Sequence, residues 1–249
     1  MQCPRCSQEQ PDGHAECGHC GVIFARYRPR PASRAAEPPE VPPDLPLARR
    51  ILDELRERMF QVEPDPGPGF WGRALCSLLL LGGWVHCLIV PMAGEALMNS
   101  WLHLIHLPFH EAGHFVFRPF GTFIMILGGT LGQLLVPLIV AGAFLRERNP
   151  YGASVGVWWL GHSFMDCAPY INDARARVLM LLSGETGQED WEGHDWYQLL
   201  SRLGWLRQDH AIARLFWLAG AALMLAALAW GGFVLWRQRA APPLGERMR

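Results

Sequence analysis

Residues 74–145 read ALCSLLLLGGWVHCLIVPMAGEALMNSWLHLIHLPFHEAGHFVFRPFGTFIMILGGTLGQLLVPLIVAGAFL, and the only charged side chains among them are Glu95, Glu111 and Arg118. No soluble domain leaves so long a stretch almost uncharged, whereas about 20 apolar residues in a helix cross a bilayer. Working outward, the segments of that kind are Ala74 to Val90, Ala96 to Phe117, Phe120 to Leu145, Tyr151 to Ile171 and Leu215 to Trp236. The expectation is an all-α polytopic membrane protein with about five transmembrane helices, preceded by a small N-terminal unit. Composition agrees, with half the 249 residues hydrophobic, 11 Trp, 12 Phe and 18% charged side chains. A formal net charge of −1 gives no basic excess to hold a phosphate backbone, so no nucleic-acid partner is expected. All basic residues are Arg, so Lys chemistry plays no part.

The rest of the chain divides by composition. Residues 1–28 hold two Cys pairs, residues 29–70 combine a Pro-rich linker with a short amphipathic helix, and residues 71–240 form the transmembrane domain. Prolines at 29, 31, 38, 39, 42, 43 and 46 keep the linker extended. From Arg49 to Val62 the apolar residues Ile51, Leu52, Leu55 and Met59 recur on one helical stripe. The polar stretch Asn172 to Ala213 carries Trp191, Trp196, Trp205 and Tyr197, side chains that favour a membrane interface. His194 and Asp195 within it could fold back, but an exposed loop pair is the simpler reading. No apolar stretch follows a basic head at the N-terminus, so no cleaved leader is expected. Five crossings would leave Arg237, Arg239, Arg247 and Arg249 opposite a cytoplasmic N-terminus, against the positive-inside tendency. Phe120 to Gly129, Gly-rich and short, is therefore read as re-entrant.

Cys3-Pro-Arg-Cys6 and Cys17-Gly-His-Cys20 are two Cys-x-x-Cys pairs. Each turn aims two sulfurs at one point, and four thiolates complete a closed tetrahedral zinc site. So small a unit has too little core to fold without metal. The alternatives are two disulfides or a redox pair; a cytoplasmic setting favours zinc. Residues Met1 to Tyr27 resemble the zinc ribbons found at the N-termini of many bacterial membrane proteins. Cys76, Cys87 and Cys167 read as small packing residues.

His110-Glu111-Ala112-Gly113-His114 is a His-Glu-x-x-His motif inside the second apolar segment. At i and i+4 the two imidazoles share a helix face and can grip one zinc, with Glu111 beside them to take a proton from an attacking water. A carboxylate inside a membrane costs about 3 kcal/mol unless paired or hydrated, so Glu111 needs such a partner. The alternative is a buried Glu–His pair that orders the bundle. His103 and His106 read as satisfied polar residues or as supports behind the metal ligands. The third zinc ligand is sought in the fourth segment, where His162, Asp166 and Asp173 fall near one helical face. Counting depth at about 1.5 Å per residue puts Asp166 level with His114 and makes it the expected ligand. Asp173, His162 and Gln133 are the alternatives or supporting residues.

Residues Trp101 to Leu182 resemble the site-2 protease family of intramembrane zinc metallopeptidases. His110 to His114 matches the family motif. Gly128-Gly129-Thr130-Leu131-Gly132-Gln133 is similar to its Gly-rich segment, with Gln133 where an Asn is usual; a carboxamide there helps hold the substrate strand or the oxyanion. Pro169-Tyr170-Ile171-Asn172-Asp173-Ala174 is similar to the Leu-Asp-Gly element that supplies the carboxylate ligand, without its Leu and Gly, and points to Asp173. The resemblance implies a zinc endopeptidase that cleaves a membrane protein substrate in the bilayer, with one structural and one catalytic zinc. The expected setting is a bacterial inner membrane with the ribbon cytoplasmic and available to a protein partner. The rival is a non-catalytic zinc-dependent membrane sensor or adaptor.

Overall fold

The computed structural model describes residues 1–3, 6, 8–9, 11, 13–26, 46–62 and 67–239. Contacts divide the chain into two compact units, Met1–Arg50 and Ile51–Arg249. Among the described residues there is no strand, only the isolated bridges Gln2↔Glu9, Glu16↔Ile23 and Met180↔Thr186. The Pro-rich linker expected at 29–46 lies outside the described residues except for Pro46, as do Arg247 and Arg249.

Seven α-helices follow in order: α1 Leu47–Phe60, α2 Pro68–Ile89, α3 Trp101–Phe117, α4 Thr122–Arg146, α5 Pro150–Asn172, α6 Asp195–Leu203 and α7 Asp209–Arg239. Local signals set their ends. Pro68 opens α2, a position where its missing N–H costs nothing. Ser100 caps α3 by accepting the His103 N–H at 3.1 Å, and Asn149 caps α5 by accepting the Gly152 N–H at 2.9 Å. Gly204, at φ 70°, closes α6 in the left-handed conformation.

Three stretches are long and apolar enough to cross a membrane: Pro68–Ile89, Thr122–Arg146 and Leu206–Arg239. Only 6% of the apolar window of α2 is buried against the rest of the protein, and Leu75, Leu78 and Leu79 are more than half exposed. Such a surface suits contact with lipid and suggests association with a membrane. Of the five expected crossings, α3 is short at 17 residues, and α5 is buried along nearly its whole length. Ahead of α3, Leu97 tucks among Cys87, Trp158, Met165 and Met224 between the helices. The re-entrant segment expected at Phe120 to Gly129 is instead continuous helix from Thr122 onward. Its glycines serve packing: a Cβ on Gly113 would strike the Gly128 carbonyl, and one on Gly132 the Phe109 carbonyl. Antiparallel α5 and α7 meet in the same way at Gly161 and Gly220.

The starts of α2 and α5 and the ends of α4 and α7 share one end of the bundle. Tyr151 donates its hydroxyl to the Arg73 carbonyl at 2.6 Å, and Arg58 reaches the Arg146 carbonyl at 2.8 Å. Trp230 donates to the Met59 carbonyl at 3.0 Å, and Phe60 packs edge-on against Phe233. At the opposite end the polar stretch 173–208 folds over the bundle, and α6 buries Trp196, Leu199 and Leu200 against Ile126, Cys167 and Ile171.

Candidate metal sites

In the N-terminal unit the four sulfurs of Cys3, Cys6, Cys17 and Cys20 lie within 4.8 Å of one another, and this cluster could hold a metal ion. Cys3 and Cys20 are 3.7 Å apart, Cys6 and Cys17 3.8 Å. Thiolates about 2.3 Å from a tetrahedral ion stand about 3.8 Å from each other. No disulfide joins them. Matching turns build the site: Cys3 N–H donates to the Gln8 carbonyl and Cys17 N–H to the Val22 carbonyl.

In the membrane unit His110 and His114 project from one face of α3, ring centroids 4.8 Å apart, and one ligand atom from each of His110, Glu111 and His114 falls within 4.8 Å of the others. The carboxylate that meets both imidazoles comes from neither α5 nor its end. Asp195 Oδ2 lies 3.0 Å from His110 Nε2 and 3.1 Å from His114 Nε2. His114 Nδ1 is 2.9 Å from the Met125 carbonyl, which can only accept, so this nitrogen carries a ring proton and Nε2 is the atom left to donate a second proton to Asp195 or, without it, to bind a metal. The 3.0 and 3.1 Å contacts to Asp195 Oδ2 have the length of hydrogen bonds from protonated Nε2 atoms. Ligands about 2.1 Å from a tetrahedral ion stand about 3.4 Å apart, so a metal in place of those protons requires the three atoms to spread by a few tenths of an ångström. Gly129 of α4 leaves the room. A Cβ there would stand 2.5 Å from both Nε2 atoms.

The polar stretch after α5 is fastened so as to deliver Asp195. Tyr170 accepts the Asp195 N–H at 2.9 Å, donates to the Gly193 carbonyl at 3.2 Å and stacks on His194 at 4.3 Å. His194 accepts the Tyr197 N–H on Nδ1, which caps α6, and its Nε2 lies 3.4 Å from Asp173 Oδ2. Asp173 also accepts the N–H groups of Val178 and Leu179 at 3.1 and 3.0 Å. Burial opposes the charge on Asp173, but His194 and those two N–H groups outweigh it and hold the carboxyl below its ordinary range. The same balance, with His110 and His114 as partners, lowers Asp195. The reading of His194 and Asp195 as an exposed loop pair is corrected: they are 0% and 8% exposed.

Asp166, expected beside the motif, sits in a separate buried cluster. Its Oδ2 lies 3.0 Å from His103 Nδ1 and 3.0 Å from His106 Nδ1, and accepts the Gln133 amide N–H at 2.6 Å. Trp159 donates its indole N–H to His106 Nε2 at 2.9 Å, so the His106 proton is on Nδ1 and points at Asp166. That His is thereby unable to ligate through Nδ1. His162 is buried between Trp158 and His106, ring centroids 5.7 and 5.2 Å away. Gln133 therefore supports Asp166, and Asp173 supports the loop. The sequence signal for Asp195 was present but local: a His cap and an acid opening a short amphipathic helix.

One cavity of about 460 Å³ joins these groups, lined by His103, His110, Glu111, His114, Asp166 and Asp195 among others. Comparison with protein-family models, curated proteins and solved structures returns no match for this chain.

Proposed function

We propose that the membrane unit is a zinc metalloendopeptidase acting on membrane protein substrates, with His110, His114 and Asp195 as the metal ligands. One observation carries the reading: two imidazole Nε2 atoms converge on one carboxylate oxygen, with the His114 tautomer fixed by the Met125 carbonyl. Two His and one carboxylate leave a fourth position open, as a hydrolytic zinc site requires. Zinc bound there supplies an acidified water and a polarised substrate carbonyl. Glu111 takes the proton of the attacking water and delivers it to the leaving amine. The Met125 carbonyl holds His114 in its ligating tautomer, and Tyr170 and Asp173 hold the segment that carries Asp195. The Cys3, Cys6, Cys17 and Cys20 site takes a structural zinc, and the ribbon is a docking module for a protein partner.

The proposed setting is a bacterial inner membrane with the ribbon cytoplasmic; arginines stand at both ends of the bundle, Arg58, Arg73, Arg148 and Arg237 at the α1 end and Arg118, Arg175, Arg177, Arg202 and Arg207 at the other, so their number does not orient it. The cavity beside His110 and His114 opens near the end of the bundle away from α1. Comparative membrane proteomics of wild type and Glu111→Gln tests the function. The account expects intact substrates to accumulate and their cleaved termini to vanish. Unchanged termini in a variant that keeps its metal would favour the sensor or adaptor reading.

A further inference from the structure

Thr130 and Gln133 are the residues of α4 that line the cavity beside His110 and His114. Thr130 is 3% exposed, and its hydroxyl has no hydrogen-bond partner among the described residues. A hydroxyl inside a helix ordinarily returns its proton to a carbonyl of the preceding turn. Ser154 does so to Tyr151, and Ser163 to Trp159. Thr130 makes no such bond, and a buried polar group left in that state beside a cavity calls for a partner.

Its position says which partner. Gly129, the preceding residue, faces the imidazoles, since a Cβ there would stand 2.5 Å from His110 Nε2 and His114 Nε2. Adjacent Cα atoms are about 3.8 Å apart, so Thr130 lies next to the place where a peptide bond would be attacked. Its backbone is pinned, because Gly128 and Gly132 are pressed against Gly113 and Phe109 of α3. The other neutral donors of the cavity wall are committed or stand at the rim. Gln133 gives an amide proton to Asp166 at 2.6 Å, Tyr170 gives its hydroxyl proton to the Gly193 carbonyl at 3.2 Å, and Asn99 and Ser183 are exposed. When water adds to a peptide carbonyl, negative charge develops on the carbonyl oxygen, and a fixed donor aimed there lowers the barrier.

We propose that Thr130 is a further catalytic residue, whose hydroxyl donates to the scissile carbonyl oxygen as that charge develops. The proposal rests on the peptidase reading of the site.

Two analogues of one leucine-rich peptide test it by their binding to the full chain in mild detergent, with metal content measured alongside. One carries a tetrahedral, anionic phosphinate in place of the scissile amide; the other is an uncleavable ketomethylene that keeps a neutral carbonyl. Leucines suit a wall that includes Leu104, Leu107, Leu179 and Leu181. Wild type binds the phosphinate more tightly than the ketomethylene. Thr130→Val weakens phosphinate binding about ten- to a hundredfold and ketomethylene binding far less, with metal content unchanged. Thr130→Ala, which adds no bulk, gives the same loss, and Thr130→Ser, which keeps the hydroxyl, retains most of the affinity. A wild type with no preference for the phosphinate would overturn the peptidase reading and the proposal with it. A preference undiminished in the Val and Ala variants, or both analogues weakened equally, would overturn the role of Thr130 and leave the peptidase reading standing.

Discussion

His110 Nε2 stands 3.0 Å from Asp195 Oδ2, although the two residues are 85 apart in sequence. The pair joins the middle of α3 to the first residue of a short helix in a polar stretch, and the proposed metal site depends on that stretch folding back.

Gly129→Ala tests how closely α4 must pass the imidazoles. The added methyl meets both Nε2 atoms at 2.5 Å, so the membrane unit should lose its metal while the ribbon keeps its own. Metal analysis of the purified variant checks this; full occupancy would mean the imidazoles have room to move.

Asp166→Asn separates the buried cluster from the metal site. His103, His106 and Gln133 lose a charged partner, and breaking such a buried set costs about 3–5 kcal/mol. A marked fall in thermal stability with metal content unchanged is expected. Metal loss at unchanged stability would return Asp166 to the ligand set.

Asp173 should make the loop sensitive to acid. Its folded pKa is lowered, so its contribution is complete above the unfolded carboxyl pKa of about 4 and is lost as pH falls through the folded value. Hydrogen-exchange protection of residues 173–195, taken relative to the intrinsic exchange rate at each pH, should fall at low pH in wild type. In Asp173→Asn it should already be low near neutrality, with less dependence on pH.

A peptide of residues 1–30 should be unfolded alone and fold on adding zinc, with Cys17→Ser abolishing the transition. Circular dichroism and zinc titration under reducing conditions check this. A peptide that binds no metal would remove the ribbon assignment.

The cysteine cluster and the His110–His114 pair were legible because their residues are close in sequence. Cys3 and Cys6, Cys17 and Cys20, and His110 and His114 each sit one turn apart, so local geometry alone brings them together. Asp195 was not legible, because its approach depends on Tyr170, His194 and Asp173 fastening the loop, and no periodicity encodes that. Asp166 drew the third-ligand reading because a buried acid needs partners. Its partners are His103, His106 and Gln133, two of which had been set aside as satisfied polar residues. The apolar runs marked the helices well. Which of them cross was less legible, since α5 is buried by its neighbours and α3 is short, and apolar composition alone does not distinguish lipid from protein as the covering medium.

The most direct test of the account is the metal content per chain of the full-length protein, wild type beside Asp195→Ala. Two metals in wild type and one in the variant are predicted, with the remaining ion released when Cys17→Ser is added. One metal in both proteins would contradict the membrane site, and two in both would contradict Asp195 as its third ligand.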